Sequence, residues 1–217
     1  MAAKIIDGKQ VAADMRAELK DKVADLKAKG VVPGLAVVLV GEDPASQSYV
    51  TAKEKACAEI GIYSDDNRLS ADTSEADLLA LVEKFNTDPK IHGILIQLPL
   101  PKHIDEDKVL LAIDPAKDVD GFHPVNVGRM VVGQEAYLPC TPHGVIQLLL
   151  RNNVPLEGAE VVVVGRSNIV GKPVANMLIQ KAPTGNATVT ICHTRTKNIA
   201  EHCKRADIII AAAGRPN

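Results

Sequence analysis

The sequence predicts an α/β protein of two domains, each built on a mostly parallel sheet, and three observations carry that prediction. Short apolar runs recur along the chain: LAVVLV at 35–40, IHGILIQ at 91–97, EVVVV at 160–164, ATVTIC at 187–192 and DIIIAA at 207–212. Such runs are what strands buried on both faces look like. Segments with helical spacing separate them, as crossover connections between parallel strands require. The rhythm then restarts after residues 141–152, which divides the chain into domains at 1–140 and 141–217.

The elements follow in order. Val11, Met15, Leu19, Val23 and Leu26 share one face of a first helix, and Gly30 ends it. After strand 35–40, Asp43 caps a helix that has Pro44 in its first turn. Ser74 caps a helix running through Phe85, with Glu75 and Asp77 suited to its positive end. Strand 91–97 is stopped by the rigid LPLPK, and a short helix covers 105–113. DPAKDVDGFHPVNVGR then reads as turns. Thr141 and Pro142 open a helix to about Asn152, read as a bridge between the domains. Strand 160–164, helix 171–181 with Pro173 in its first turn, strand 187–192, helix 198–205 and strand 207–212 make a βαβαβ unit, the half-sheet that binds a nucleotide.

Composition narrows the function classes. The 217 residues are 46% hydrophobic and 24% charged, sufficient for one large or two modest cores. A net charge of −2 and a pI near 6.3 favour neither nucleic acid nor an anionic membrane as partner. With three tyrosines, two phenylalanines and no tryptophan, platforms for stacking bases are scarce. No apolar run approaches the roughly 20 residues of a membrane helix, and the N-terminus lacks a signal-peptide apolar stretch. Cys57, Cys140, Cys192 and Cys203 form no C-x-x-C, as expected of reduced thiols in a cytosol. Cys192-His193 and His202-Cys203 match no zinc spacing, so no metal is expected. A soluble, cytoplasmic protein is the expectation.

Two places carry chemistry. In GEDPASQSYVTAKEKAC, Tyr49 and Lys53 stand at i and i+4 and share a helix face just beyond the carboxyl end of a buried strand. That is where α/β folds place reacting groups. Alone, the pair reads first as a packed tyrosine and a solvated surface lysine. The second place is VVVVGRSNIVGKP, at the first strand-to-helix turn of the βαβαβ unit. Gly165 permits a tight turn, Ser167 replaces the second glycine of G-x-G-x-x-G, and Gly171 lets helix and strand approach. An ordinary glycine-containing turn would look similar. The next strand runs into His193-Thr194-Arg195-Thr196-Lys197, with no carboxylate to hold a ribose 2′-hydroxyl. Arg166, with Thr194, Arg195, Thr196 and Lys197, would instead attract a 2′-phosphate. The expected cofactor is therefore NADP, unless those cations are only solvated loop charges.

With both halves read, the chain resembles the bifunctional methylenetetrahydrofolate dehydrogenase/methenyltetrahydrofolate cyclohydrolase family. GEDPASQSYVTAKEKAC, HGILIQLPLP, KDVDGFHPVNVGR, PCTPHGV and VVVVGRSNIVGKP carry the resemblance, in family order and across nearly the whole chain. It implies a folate-binding catalytic domain and a Rossmann-like NADP-binding domain with the cleft between them, and a homodimer. It also implies two reactions: NADP+ takes a hydride from 5,10-methylenetetrahydrofolate, and water opens the resulting methenyl cation to 10-formyltetrahydrofolate. Residue by residue, Lys53 matches the catalytic lysine, Tyr49 its partner lining the folate site, and Gln97 the glutamine beside the lysine. Asp120 matches the aspartate that binds the pterin, and Ser48 is a lesser candidate for the same pocket. Arg166 and Ser167, with Thr194 and Arg195, match the cofactor side. His123, in GFHPV, is read as turn structure rather than as a catalytic group.

These residue types suit the chemistry. Hydride transfer needs two rings held face to face. Hydrolysis needs a group that takes a proton from water, and a lysine does this near neutral pH only when burial or a nearby cation favours its uncharged form. A glutamine can hold such an amine without adding negative charge. Chains of the family run well past Asn217, adding the rest of the nucleotide sheet, a PGGVGP-type loop and a terminal helix. Were the chain to stop at Asn217, an uncovered sheet edge, weak cofactor binding and little dehydrogenase turnover would be expected. Two other readings compete: a different two-domain NADP oxidoreductase of shikimate-dehydrogenase type, and a folate-binding module without catalysis. The first does not account for Tyr49, Gln97 and Asp120 together.

Overall fold

A computed structural model describes residues 3–214. They form two units, one of residues 7–119 and one of residues 120–214 with residues 3–6. The N-terminal unit runs α1 (Gly8–Ala28), β1 (Gly34–Val40), α2 (Pro44–Ile60), β2 (Tyr63–Leu69), α3 (Glu75–Thr87), β3 (Gly93–Ile96) and α4 (Glu106–Ala112). Its three strands are parallel in the order β2-β1-β3. Alternation along β1 sorts the core into two layers. Ala36, Val38 and Val40 meet Leu78, Val82 and Phe85 of α3 and Val109 of α4, while Val37 and Leu39 meet Val50 of α2.

The expected caps are present. Asp43 accepts from the backbone N–H of Ser46 at 2.8 Å and Ser74 from that of Asp77 at 3.1 Å, and α1 closes at Lys29 with Gly30 in the left-handed region. Strand β2 is an addition to the sequence reading. Among the described residues it lies at the sheet edge, paired with β1 alone, so its SDDNR segment remains partly solvated and carries no apolar run.

The C-terminal unit holds α5 (Pro124–Val131), α6 (Cys140–Arg151), β4 (Glu160–Val164), α7 (Gly171–Leu178), β5 (Thr188–Cys192), α8 (Ile199–Lys204) and β6 (Ile208–Ala211). Its strands are parallel in the order β5-β4-β6. Val161 and Val163 pack with Val174, Leu178, Ile208 and Ile210, and Met130 of α5 and Ile146 of α6 close over the same core. Helix α6, read from sequence as a bridge, packs on α7 within this unit. Residues read as turns around Pro124 form helix α5 instead. His123 is its N-cap, its Nδ1 accepting from the Val125 N–H at 3.2 Å, and Pro124 occupies the first turn. Helix α7 ends at Leu178 rather than Lys181, because the Leu178 carbonyl is taken by the N–H of Ala187 as the chain turns into β5.

Candidate active site

Helix α2 is oriented by what it buries. Ser46, Val50, Cys57 and Ile60 recur at helical spacing against the sheet. Tyr49 and Lys53 consequently fall on the rim of the buried face. Tyr49 is 63% exposed, Lys53 is half-buried, and Ser48 is exposed. One side chain of β2 holds the helix from outside: Arg68 donates from Nη2 to Thr51 Oγ1 at 3.3 Å, while its Nε donates to Asp66 Oδ2 of its own strand at 3.1 Å. At the start of α2, the Asp43 carboxyl is held below the usual aspartate range, chiefly by the backbone N–H of Ser46.

Gln97 follows β3 directly, and its N–H still pairs with the Val38 carbonyl at 2.8 Å. Its side-chain amide is fixed at both ends. Nε2 donates to the Leu98 carbonyl at 2.8 Å, and Oε1 accepts from Lys53 Nζ at 3.0 Å. Because Nε2 is engaged by an acceptor, the oxygen is the end that faces the amine. The lysine amine and a neutral carbonyl oxygen thus meet just beyond the carboxyl end of β3, in a half-buried position. Asp120 belongs to the C-terminal unit, half-buried, where the Cys140 thiol donates to its Oδ1 at 3.7 Å. The structure therefore brings Lys53 and Gln97 together and sets Tyr49 one turn from the lysine.

The turn after β4 has room only for glycine at two points. Gly165 has φ +136°, and a Cβ there would run into the Ala212 carbonyl; one on Gly171 would run into the Gly165 carbonyl. Ser167 Oγ accepts from the N–H groups of Val170 at 3.1 Å and Gly171 at 3.4 Å. The Gly165 N–H donates to the Cys192 carbonyl at 2.8 Å, so the turn bearing Arg166 and the loop bearing Thr194 and Arg195 leave neighbouring strand ends. All three side chains are exposed. A tight backbone with helix N–H groups, flanked by two guanidinium groups, fits a dinucleotide phosphate.

Sequence reasoning did not see the internal order of the second loop. His193 Nδ1 accepts from the Arg195 N–H at 3.2 Å, and Thr196 Oγ1 accepts from the His193 N–H at 2.9 Å. The Thr196 N–H returns to the His193 carbonyl at 2.8 Å. The Arg68 clamp on α2 was also missed, since a polar edge strand gives no signal of what it touches.

Comparison with known proteins decides the family. The model of the tetrahydrofolate dehydrogenase/cyclohydrolase catalytic domain matches residues 6–120, and that of the same family's NAD(P)-binding domain matches residues 139–217. The chain belongs to the tetrahydrofolate dehydrogenase/cyclohydrolase family. Among its relatives, the bifunctional protein FolD of Geotalea uraniireducens is 63% identical over 99% of this chain and 75% of its own length. The crystal structure of the FolD methylenetetrahydrofolate dehydrogenase/cyclohydrolase from Campylobacter jejuni superposes with a TM-score of 0.94 at 49% identity, covering 100% of this chain and 76% of that one. The Trypanosoma brucei FolD, solved with NADP and an inhibitor, gives 0.92 at 38% identity over 100% and 74% of the two chains. Family membership also settles the fold expectation of a catalytic α/β domain joined to a Rossmann-like one.

Proposed function

We infer that this chain oxidises 5,10-methylenetetrahydrofolate with NADP and hydrolyses the 5,10-methenyl product to 10-formyltetrahydrofolate. The observation that carries the reading is the Lys53–Gln97 hydrogen bond at the strand ends, set in a chain of this family. NADP+ supplies the hydride acceptor. Everything else falls to the chain's own groups.

Lys53 is the proton carrier of the hydrolysis. In its uncharged form the amine takes a proton from the attacking water and returns it to the ring nitrogen that departs. A cationic methenyl substrate beside the amine favours that form, and Gln97 holds Nζ without opposing it. Tyr49, exposed one turn away, offers a flat surface to the folate, with Ser48 beside it. Asp120 gives the pterin's amino and ring N–H groups a two-oxygen acceptor. On the cofactor side, Gly165, Ser167 and Gly171 shape the diphosphate turn, and Arg166, Thr194 and Arg195 read the 2′-phosphate. We further place the enzyme in the cytoplasm as a homodimer, a state that light scattering of the purified protein measures.

Lys53→Met tests the central role. The expected outcome is loss of cyclohydrolase activity with folate binding largely kept. Undiminished hydrolysis would remove Lys53 from the mechanism. On the cofactor side, Arg166→Ala should lower kcat/KM for NADP and spare that for NAD.

A further inference from the structure

The loop after β5 contains a small device that the catalytic reading does not use. Four residues in succession divide into two kinds. His193 and Thr196 turn their side chains onto the loop's own backbone, the imidazole on the Arg195 N–H and the hydroxyl on the His193 N–H. Thr194 and Arg195, between them, are exposed. A backbone hydrogen bond from Thr196 back to His193 closes the turn. A side-chain acceptor reaching the N–H two residues on is the geometry an asparagine provides in an Asx turn, and here a histidine provides it. Nδ1 must then be the unprotonated nitrogen, so the ring carries its hydrogen on Nε2.

We propose that His193, seconded by Thr196, is a specificity-determining positioning residue: it holds the loop so that Thr194 and Arg195 meet the 2′-phosphate of NADP. This rests on the reading that these two residues contact that phosphate. A guanidinium on a free loop would have to be ordered at the moment of binding, and that ordering weakens the contact. The histidine touches no part of the cofactor in this account. It acts through the Arg195 main chain, at the end of the strand whose Cys192 carbonyl also anchors the Gly165 turn.

The test uses 2′,5′-ADP and 5′-AMP as probes, titrated into the parent protein and into His193→Ala, His193→Asn, Thr196→Val and Arg195→Ala. Loss of one ordering hydrogen bond corresponds to roughly five- to tenfold in affinity. His193→Ala and Thr196→Val should weaken 2′,5′-ADP by about that factor and leave 5′-AMP within about twofold, which also certifies that the variants are folded. His193→Asn, able to make the same bond, should restore parental affinity. In turnover, His193→Ala should raise KM for NADP with kcat unchanged. If Arg195→Ala loses 2′,5′-ADP while His193→Ala and Thr196→Val retain it, the positioning role is refuted and the phosphate contact stands. If the parent protein does not distinguish the two nucleotides, the phosphate reading itself fails and takes this proposal with it.

Discussion

Exchanging Gln97 for glutamate replaces the amide NH2 by an oxygen, giving up the bond to the Leu98 carbonyl, and it probes the central claim about the amine. The carbonyl oxygen that accepts from Lys53 Nζ at 3.0 Å would become half of a carboxylate. A full negative charge at that distance attracts an ammonium by about 5.5 kcal/mol at an effective dielectric constant of about 20. Both side chains are only half-buried, so water reduces this to roughly 2 kcal/mol, the range of a hydrogen bond between charged groups. The carboxylate favours the charged amine by that amount, and the uncharged fraction falls about thirtyfold. Cyclohydrolase turnover of Gln97→Glu near neutral pH, followed by disappearance of the methenyl absorbance, should therefore drop about thirtyfold and recover as pH rises. Dehydrogenase turnover, which needs no base, should fall much less. A variant that hydrolyses the methenyl substrate at the parental rate near pH 7 would show that the amine's charge does not limit the step.

Gly165→Ala places a methyl group against the Ala212 carbonyl in a backbone region glycine alone adopts readily, so NADP affinity by fluorescence titration should fall about tenfold or more. Leu78, fully buried between α3 and the sheet, should cost about 2–5 kcal/mol when cut to alanine, against well under 1 kcal/mol for the exposed Leu111; denaturant titration of the two variants compares them. The ion pair of Lys108 with Glu75 gives a two-sided pH dependence. Lys108, followed by the Asp105 N–H, holds the Glu75 carboxyl below its ordinary 4.5, so that stabilisation is complete above this value and is lost as pH falls through the lowered one. Glu75 in turn raises the Lys108 amine above its ordinary 10.5, so that share is complete below this value and is lost as pH rises through the raised one. The Tm gap between the parent and Glu75→Gln should be constant from about pH 6 to 10 and close at both extremes; a gap that persists in acid would refute the pairing.

The parts of this fold that could be read in advance are those where one physical demand dominates. Strands β1, β3 and β4 are apolar because they are buried, whereas β6 leaves Ile209 exposed, and the Asp43 and Ser74 caps follow from orphan N–H groups that any helix start must satisfy. Strand β2 escaped because an edge partner needs backbone pairing and little else, and Ser64, Asp65, Asp66 and Asn67 satisfy that. Helix α5 escaped because its cap is an imidazole and its body contains Gly128, both of which read as turn chemistry. In the site, helical spacing placed Tyr49 and Lys53 one turn apart, as α2 has them. Nothing in the spacing could place Gln97, 44 residues later, at the lysine; that contact depends on β3 lying beside β1, and the family resemblance supplied it. The loop at 193–197 shows the reverse limit. Its residue types suggested cations for a phosphate, while the bonds that order those cations are geometric and left no trace in composition.

Ser167 carries a consequence of its own. An alcohol can ordinarily give and receive, but this oxygen already takes two backbone hydrogens at the head of α7. What it has left is a single hydrogen, so toward any visitor it is a one-way donor. Such a group welcomes electron-rich oxygen and offers nothing to a cation. The turn therefore screens arrivals by sign before shape is tested. A cysteine there would keep the size yet give up much of that screening, since a thiol is a poor donor.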